Sequence, residues 1–406
     1  MTVTALLYIW ALSVFLFWIA VLYVTHRGWK RIGDLSGMEQ EKKGPERKTV
    51  GLREQRWPLV SVIIAAKEEE KHISETVAHL LNQNYPRLEI IAVNDRSRDR
   101  TGLKLEQLKE WSRRDMNSSI PLHVIHITQL PQQWLGKNHA LYQGYLKARG
   151  SYLLFTDGDV RMSPDTIRKA VQLAEQEQVD HVTLMPNMVA AGFWLRAFVH
   201  YFLFSLMLVL RPWLCNDDLN SRYGMGIGAF NLIRRSAYEK LGTHRAFAMY
   251  PDDDLELGRR VKKERLKQRV LAAASDVQVE WYCSLGEAVR GLEKNLFSGF
   301  AYKLSLLWLA SAGQLLFFFA PFVVWPFVPP GASLLFLASS AAFMLAYAHA
   351  CHRFASRWNI AECLLLPLSC AILIGVMIRS AYLVLKRGGI YWRGTFYPLS
   401  DLKRFR

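Results

Sequence analysis

Two runs without a single Asp, Glu, Lys or Arg, residues 1–26 and 304–352, constrain this 406-residue chain more than any other feature. About 20 apolar residues are enough to cross a bilayer as a helix. The first block, 5–24, ends on His26, Arg27, Lys30 and Arg31. With no basic segment before it and no small-residue cleavage site, it reads as a retained anchor whose C-terminal end faces the cytoplasm. Three further apolar segments, 304–328, 334–350 and 360–385, are broken at 326–331 and 353–359. If all three cross, the basic tail 386–406 lies opposite the region between the first and last apolar blocks, against the positive-inside tendency. The expectation is a cytoplasmic tail with one segment re-entrant or interfacial, and Pro367 marks the last as the candidate. A fourth stretch, 193–212, has only 14 residues between Arg196 and Arg211. That suits a helix lying in the interface or buried.

The formal net charge is +16. The basic residues gather at 27–31, 353–357 and 386–406, beside apolar segments, where anionic lipid attracts them. Outside those edges there is no basic face interleaved with aromatics, so nucleic acid is not an expected partner. Five cysteines without C-x-x-C spacing suggest neither a disulfide framework nor a zinc site.

Between the apolar ends the pattern changes. Short apolar runs at 59–64, 88–93, 122–127 and 152–155 alternate with helical patterns, the first opening at Lys67-Glu-Glu-Glu70 and the third running from Gly136 to Arg149. Such alternation predicts an α/β fold with a mostly parallel sheet covered by helices on both faces. The expected organisation is an anchor at 1–32, a charged linker at 33–57, a cytoplasmic domain at 58–300 containing an interfacial helix at 193–214, membrane helices at 301–385 and a basic tail at 386–406.

Ligands of such sheets bind beyond the carboxyl ends of the strands, and Asp95, Asp99, Asp157 and Asp159 all fall at that edge. In Asp157-Gly158-Asp159, two carboxylates around a glycine end an apolar run. A Mg²⁺ or Mn²⁺ ion is often held by one or two carboxylates, with water and phosphates completing its shell. After the second run, Asp95 is placed to accept hydrogen bonds from a ribose or a base, and Ser97 or Asp99 to cap the next helix. Gly136-Lys137 opens a helix with backbone N–H groups and an ammonium for an anion, though it lacks the Walker spacing. Tyr250-Pro-Asp252-Asp253-Asp254 precedes a basic helix. Those carboxylates either complement the helix dipole or supply a general base.

Taken in order, these motifs resemble the family 2 glycosyltransferases of GT-A fold, which use nucleotide-sugar donors. The resemblance covers residues 59–300 and rests on Val60 to Glu69, Asn94 to Asp99, Gly136-Lys137, Thr156 to Asp159, Gly228 to Arg234 and Asp253 to Gly258. It implies donor contacts at Ala65, Glu68, Asp95, Lys137 and Asp157, with Asp95 on the base. It implies a Mg²⁺ or Mn²⁺ ion on Asp159 and Asp157, and catalysis by Asp254 with Asp253 beside it. Lys67 stands where the family usually has Asn. The Q-x-x-R-W motif of the processive synthases is absent from 280–295. The pattern of Glu287, Gly291, Lys294 and Asn295, with the tail Gly389-Ile-Tyr-Trp-Arg-Gly394, is similar to membrane enzymes that glycosylate carotenoid and hopanoid-associated lipids. The implied activity is metal-dependent, inverting transfer from a nucleotide sugar, a UDP-sugar first among candidates, to a lipid such as a terpenoid. The implied location is a multi-pass protein of the cell membrane. An oligosaccharide or polysaccharide synthase and an inactive membrane scaffold are the alternatives.

Overall fold

The computed structural model describes residues 3–37, 57–114 and 120–404, the side chains of Lys294 and Asn295 excepted. Most of the expected linker, 38–56, lies outside the described residues. In chain order the elements are α1 (Val3–Trp29), β1 (Val60–Ala66), α2 (Ile73–Leu81), β2 (Leu88–Asp95), α3 (Thr101–Arg114), β3 (Leu122–Ile127), α4 (Gly136–Lys147), β4 (Tyr152–Asp157), β5 (Val160–Met162) and α5 (Thr166–Gln176). There follow β6 (His181–Met185), β7 (Asn187–Ala190), α6 (Phe193–Leu210), α7 (Pro212–Cys215), β8 (Asn231–Arg234), α8 (Arg235–Lys240), α9 (Asp253–Lys263), β9 (Gln268–Ala272) and β10 (Val277–Tyr282). The C-terminal third adds α10 (Leu285–Gly299), α11 (Leu304–Gly313), α12 (Ala320–Val323), α13 (Pro330–Phe354), α14 (Leu366–Arg387), β11 (Gly389–Trp392), β12 (Thr395–Pro398) and α15 (Leu399–Arg404).

Seven strands form the central sheet in the order β3-β2-β1-β4-β8-β6-β9. Only β8 runs antiparallel to its neighbours. All seven residues of β1 are buried because both faces of the sheet are covered. Side chains alternate along a strand, so Val60, Val62, Ile64 and Ala66 pack with Ile73, Val77 and Leu80 of α2. Ile63 and Ala65 face the other way, onto Ala140 and Leu141 of α4. The expected fold class is therefore borne out: a mostly parallel sheet, helices on both faces, and five helices long and apolar enough to cross a membrane.

Local differences have local causes. The first helix of the domain begins at Ile73, not Lys67, because the three glutamate N–H groups are taken by another loop: Glu68 donates to Ser97 Oγ (3.1 Å), Glu69 to Thr101 Oγ1 (2.8 Å) and Glu70 to Asp99 Oδ2 (3.1 Å). Residues 33–35, expected as linker, dock on β9 through Leu35 N–H to Ala272 O and Ala272 N–H to Gly33 O, both 2.9 Å.

Chain parity decides which apolar helices lead away from the domain. Only α6 and the one-turn α7 separate β7, in a small three-stranded sheet with β5 and β10, from the loop leading to β8, and β8 returns to the central sheet between β4 and β6. A single crossing there would strand β8 on the wrong side, so α6 lies alongside. Helices α1 and α13 run parallel: Trp10 meets Phe336 at 5.0 Å, Trp18 stacks on Phe343 at 3.9 Å, and Arg353 donates to Trp29 O at 3.1 Å. The Trp29 end adjoins the domain, where Asn216 Nδ2 donates to Arg31 O at 3.0 Å. Hence α13 returns toward the domain, and the run α11–α12, through a π-helical segment Gln314–Phe319, leads away from it. After α13, Glu362 accepts from Arg196 and His200 of α6, each at 2.7 Å. Beyond α14, Tyr397 accepts the Gly136 N–H at 3.1 Å. Both ends of α14 are thus tied to the domain.

Candidate active site

The carboxyl ends of β1, β2 and β4 share one rim, where Ala66 pairs with Asn94 and Ala65 with Asp157. At the β2 end, Asp95 is buried and bound by its neighbour Arg96 through Nε (2.7 Å) and Nη2 (3.1 Å). Its carboxylate lies flush against the start of α4. A Cβ on Gly136 would fall 2.3 Å from Asp95 Oδ2, so a side chain at 136 would collide with it. Asp99 carries out the expected capping, accepting from Thr101 N–H at 2.9 Å and from Glu70 N–H.

One turn into α4, the Lys137 ammonium lies 2.8 Å from Asp157 Oδ1 and 3.5 Å from Asp253 Oδ1. Burial alone would lower its pKa, but Asp157, Asp253 and Asp254 outweigh burial and hold it well above the usual range. Burial likewise opposes the charge on Asp253, yet Lys137 and His244 keep that carboxyl below its ordinary value. Asp254 differs. Burial, then the neighbouring Asp253, push it up to about 7. Its oxygens accept N–H groups from Gly228 and Leu255, each at 2.8 Å.

That Gly228 contact depends on a loop with glycine at every second position, 224, 226 and 228. A Cβ on Gly226 would meet the Asp254 carbonyl oxygen at 2.1 Å, and one on Gly228 would meet Asp157 Oδ2 at 2.5 Å. Main chain therefore approaches the Asp254 backbone and the Asp157 carboxylate more closely than any side chain would allow.

Asp159 follows the β4 end. Burial, then Asp157 and Glu69, raise its carboxyl to about 7, while Arg393 opposes the rise. Arg393 belongs to the turn between β11 and β12, and donates to Glu69 Oε1 (2.8 Å) and to Lys67 O (3.2 Å). Among the described residues no group of three or more His, Cys, Asp or Glu is arranged to hold a metal ion. Two crowded carboxylates that resist joint ionisation nonetheless fit a hard divalent cation that takes its other ligands from phosphate oxygens. The Lys137 ammonium already engages one of them.

The family described as Glycosyl transferase family 2 matches residues 61–242. The match covers somewhat less than half of the chain, and this stretch is similar to that family. An uncharacterized glycosyltransferase of Bacillus subtilis, EpsJ, is 36% identical over 125 residues, covering 31% of this chain and 33% of the relative. A beta-monoglucosyldiacylglycerol synthase of Trichormus variabilis is 30% identical over 142 residues, 34% of this chain and 28% of its own. A 4,4'-diaponeurosporenoate glycosyltransferase of Staphylococcus aureus is 31% identical over 101 residues, 25% and 24% of the two chains. The chain spans about a quarter to a third of the length of these relatives. Among solved structures, a Pyrobaculum calidifontis mannosyltransferase in complex with GDP-Man and Mn²⁺ superposes with a TM-score of 0.47 at 17% identity, covering 93% of this chain and 98% of that one. That overlap is too loose to build on.

The residues singled out from sequence converge, those at 253 and 254 from beyond the matched stretch. Asp95, Lys137, Asp157, Asp253 and Asp254 form a continuous series along the rim, joined through Gly136 and Gly228, and Asp159 adjoins Asp157. Ala65, one residue before the end of β1, pairs with Asp157, whereas Glu68 turns to accept the Arg98 N–H at 2.9 Å. Sequence reasoning missed Glu69 and Arg393. Nothing in the run of three glutamates distinguishes Glu69, and Arg393 reaches the rim from 324 residues away. His244, 1% exposed and 3.9 Å from Asp253, was also missed, and burial pushes its imidazole below the usual range. Of the Glu287 to Asn295 pattern, Glu287 and Gly291 lie on α10, and the side chains of Lys294 and Asn295 lie outside the description.

Proposed function

We propose that this protein transfers a sugar from a nucleotide-sugar donor, a UDP-sugar first among candidates, to a membrane lipid acceptor with inversion. The observation that carries this reading is one rim on which a buried ammonium, paired carboxylates and a carboxyl with a pKa near 7 lie together, on a family 2 domain tied to membrane-length helices. Asp95 contacts the nucleoside, with Ala65 and Glu68 bordering it. Asp159 and Asp157 hold a Mg²⁺ or Mn²⁺ ion, which when bound neutralises charge on the leaving diphosphate. Lys137 keeps a fixed positive charge beside Asp157, where the phosphates arrive. Asp254 takes the proton of an acceptor hydroxyl as its oxygen bonds to the anomeric carbon and the bond from that carbon to phosphate breaks. Asp253, held ionised by Lys137 and His244, positions the ammonium and raises the basicity of Asp254. A carboxylate acceptor has no proton to give, and Asp254 then only orients it.

For the membrane, α1, the α11–α12 run and α13 cross, while α6 and α14 lie in the interface. Arg27, Lys30, Arg31 and Arg353 then share the side of the domain, which the positive-inside tendency assigns to the cytoplasm. This division leaves the domain 58–300 and the tail 386–406 together on that face. A cavity of about 470 Å³ between α10 and α14, walled by Leu285, Val289, Ile372 and the stems of Arg290 and Arg379, suits a lipid. The beta-monoglucosyldiacylglycerol synthase and 4,4'-diaponeurosporenoate glycosyltransferase relatives support a lipid acceptor by name.

The test is a screen of the full-length protein in nanodiscs with Mn²⁺, radiolabelled nucleotide sugars and extracted membrane lipids. Label should enter the organic phase, with the anomeric configuration of the product inverted. Neither lipid label nor donor hydrolysis with any donor overturns the reading.

A further inference from the structure

We propose that Arg393, at the tip of the C-terminal hairpin, is a binding residue for the donor diphosphate, so that the donor site is completed by the end of the chain. This rests on the donor reading above. The hairpin is paired from Gly389 with Pro398 to Trp392 with Thr395, which leaves Arg393 and Gly394 as a two-residue turn. Both have positive φ, 47° and 77°, as a type I′ turn requires. Asn or Gly is the usual choice at the first position, because a long side chain in the left-handed region is disfavoured. An arginine kept there is an outlier of the kind that accumulates at ligand sites.

Its surroundings give the outlier a use. The hairpin is pinned at both ends of the donor rim: Tyr397 accepts the Gly136 N–H beside Asp95, and Arg393 reaches the loop after β1 at Glu69 and Lys67. The guanidinium is thereby held at Glu69, which packs against Gly158 of the Asp157 to Asp159 turn, while Lys137 contacts Asp157 of the same turn. Its two contacts use two of five N–H donors, and the side chain remains 41% exposed. A planar fork with free donors, held beside carboxylates suited to a divalent ion, matches phosphate oxygens in shape and charge. Lys137 supplies positive charge from within the domain, and Arg393 supplies it from the C-terminal hairpin.

The experiment measures binding of nucleoside diphosphates and monophosphates (UDP with UMP, GDP with GMP) to the full-length protein in detergent with Mn²⁺. Arg393→Ala should weaken the preferred diphosphate about tenfold or more, the loss of a charge-assisted contact. The matching monophosphate should change by less than about threefold, because the bond to the terminal phosphate is the one removed. Arg393→Lys should recover part of the loss. Unchanged diphosphate affinity overturns the proposal, and so does equal weakening of both ligands, which marks Arg393 as a clasp for the hairpin alone. A wild-type protein that binds no nucleotide overturns the donor reading together with this one, whereas wild-type binding that survives Arg393→Ala overturns this one alone.

Discussion

The Lys137 ammonium stands 2.8 Å from the Asp157 carboxylate, joining the first turn of α4 to the end of β4. With Asp253 also within 3.5 Å, this one cation compensates a buried charge on Asp253 and a partly exposed one on Asp157, from separate elements. Removing one partner of a buried pair is costly because the other is left uncompensated. Lys137→Met should therefore destabilise the protein by about 1–3 kcal/mol, the Asp157 contact being screened by solvent, and abolish transfer. Thermal unfolding in detergent checks the first effect. The double variant Lys137→Met, Asp157→Asn should regain part of the lost stability, and a double variant no better than the single would show that the pair is not coupled.

Two glycines make separable predictions. Gly228→Ala drives a methyl group into Asp157, at 2.5 Å from its oxygen, so transfer should fall by about 100-fold, the effect of misplacing a reacting group by a fraction of an ångström. UMP binding should stay close to normal. Gly136→Ala instead strikes Asp95 and should weaken UMP itself. Titration of both variants with UMP and UDP distinguishes the two halves of the site, and identical profiles would contradict that division.

Much of this was legible from residue order because the sheet is covered on both faces. Strands such as β1 and β2 must then be continuous apolar runs, and the polar residue ending each run marks the ligand edge. Asp95, Asp157 and Asp159 could be placed on that basis alone. For 193–212 the spacing of Arg196 and Arg211 suggested a helix buried or in the interface, and most of α6 is buried within the structure. By contrast, α14 has 22 residues, ample length to span, and nothing in its sequence announces the contacts that tie both its ends to the domain. Glu69 was hidden among three glutamates whose N–H groups are claimed by the next loop. Arg393 was hidden in what read as a basic tail, because no local pattern announces a contact made 324 residues away.

The pH dependence of transfer follows from Asp254. Its carboxyl is pushed up to about 7 by burial and Asp253, and only the ionised form accepts a proton. With metal saturating and a hydroxyl acceptor, the rate should rise with pH through about 7 and level off above it. Asp254→Asn should lower the rate by about 10² to 10⁴ and flatten the profile, with UDP binding near the wild-type value. Steady-state rates from pH 5.5 to 8.5 check this. Loss of UDP binding in the variant would refute the separation of base from donor site.

Asp159 should reveal itself in stability before any substrate is added. Burial with Asp157 and Glu69 raises its carboxyl to about 7, above the value of about 4 expected in the unfolded chain. The folded state therefore binds more protons across that window, and its stability falls as pH rises from about 4 to about 7. Asparagine carries no such charge. In chelator, Asp159→Asn should gain in melting temperature over the wild type as pH rises through the window, and the gap should be constant above it. Adding Mn²⁺ at pH 7.5 should stabilise the wild type, since a ligand bound only by the folded state shifts the equilibrium toward it, and should leave the variant where it was. A variant less stable than the wild type in chelator at pH 7.5 would show that the carboxylate is compensated from within the protein, and that no cation is called for at this position.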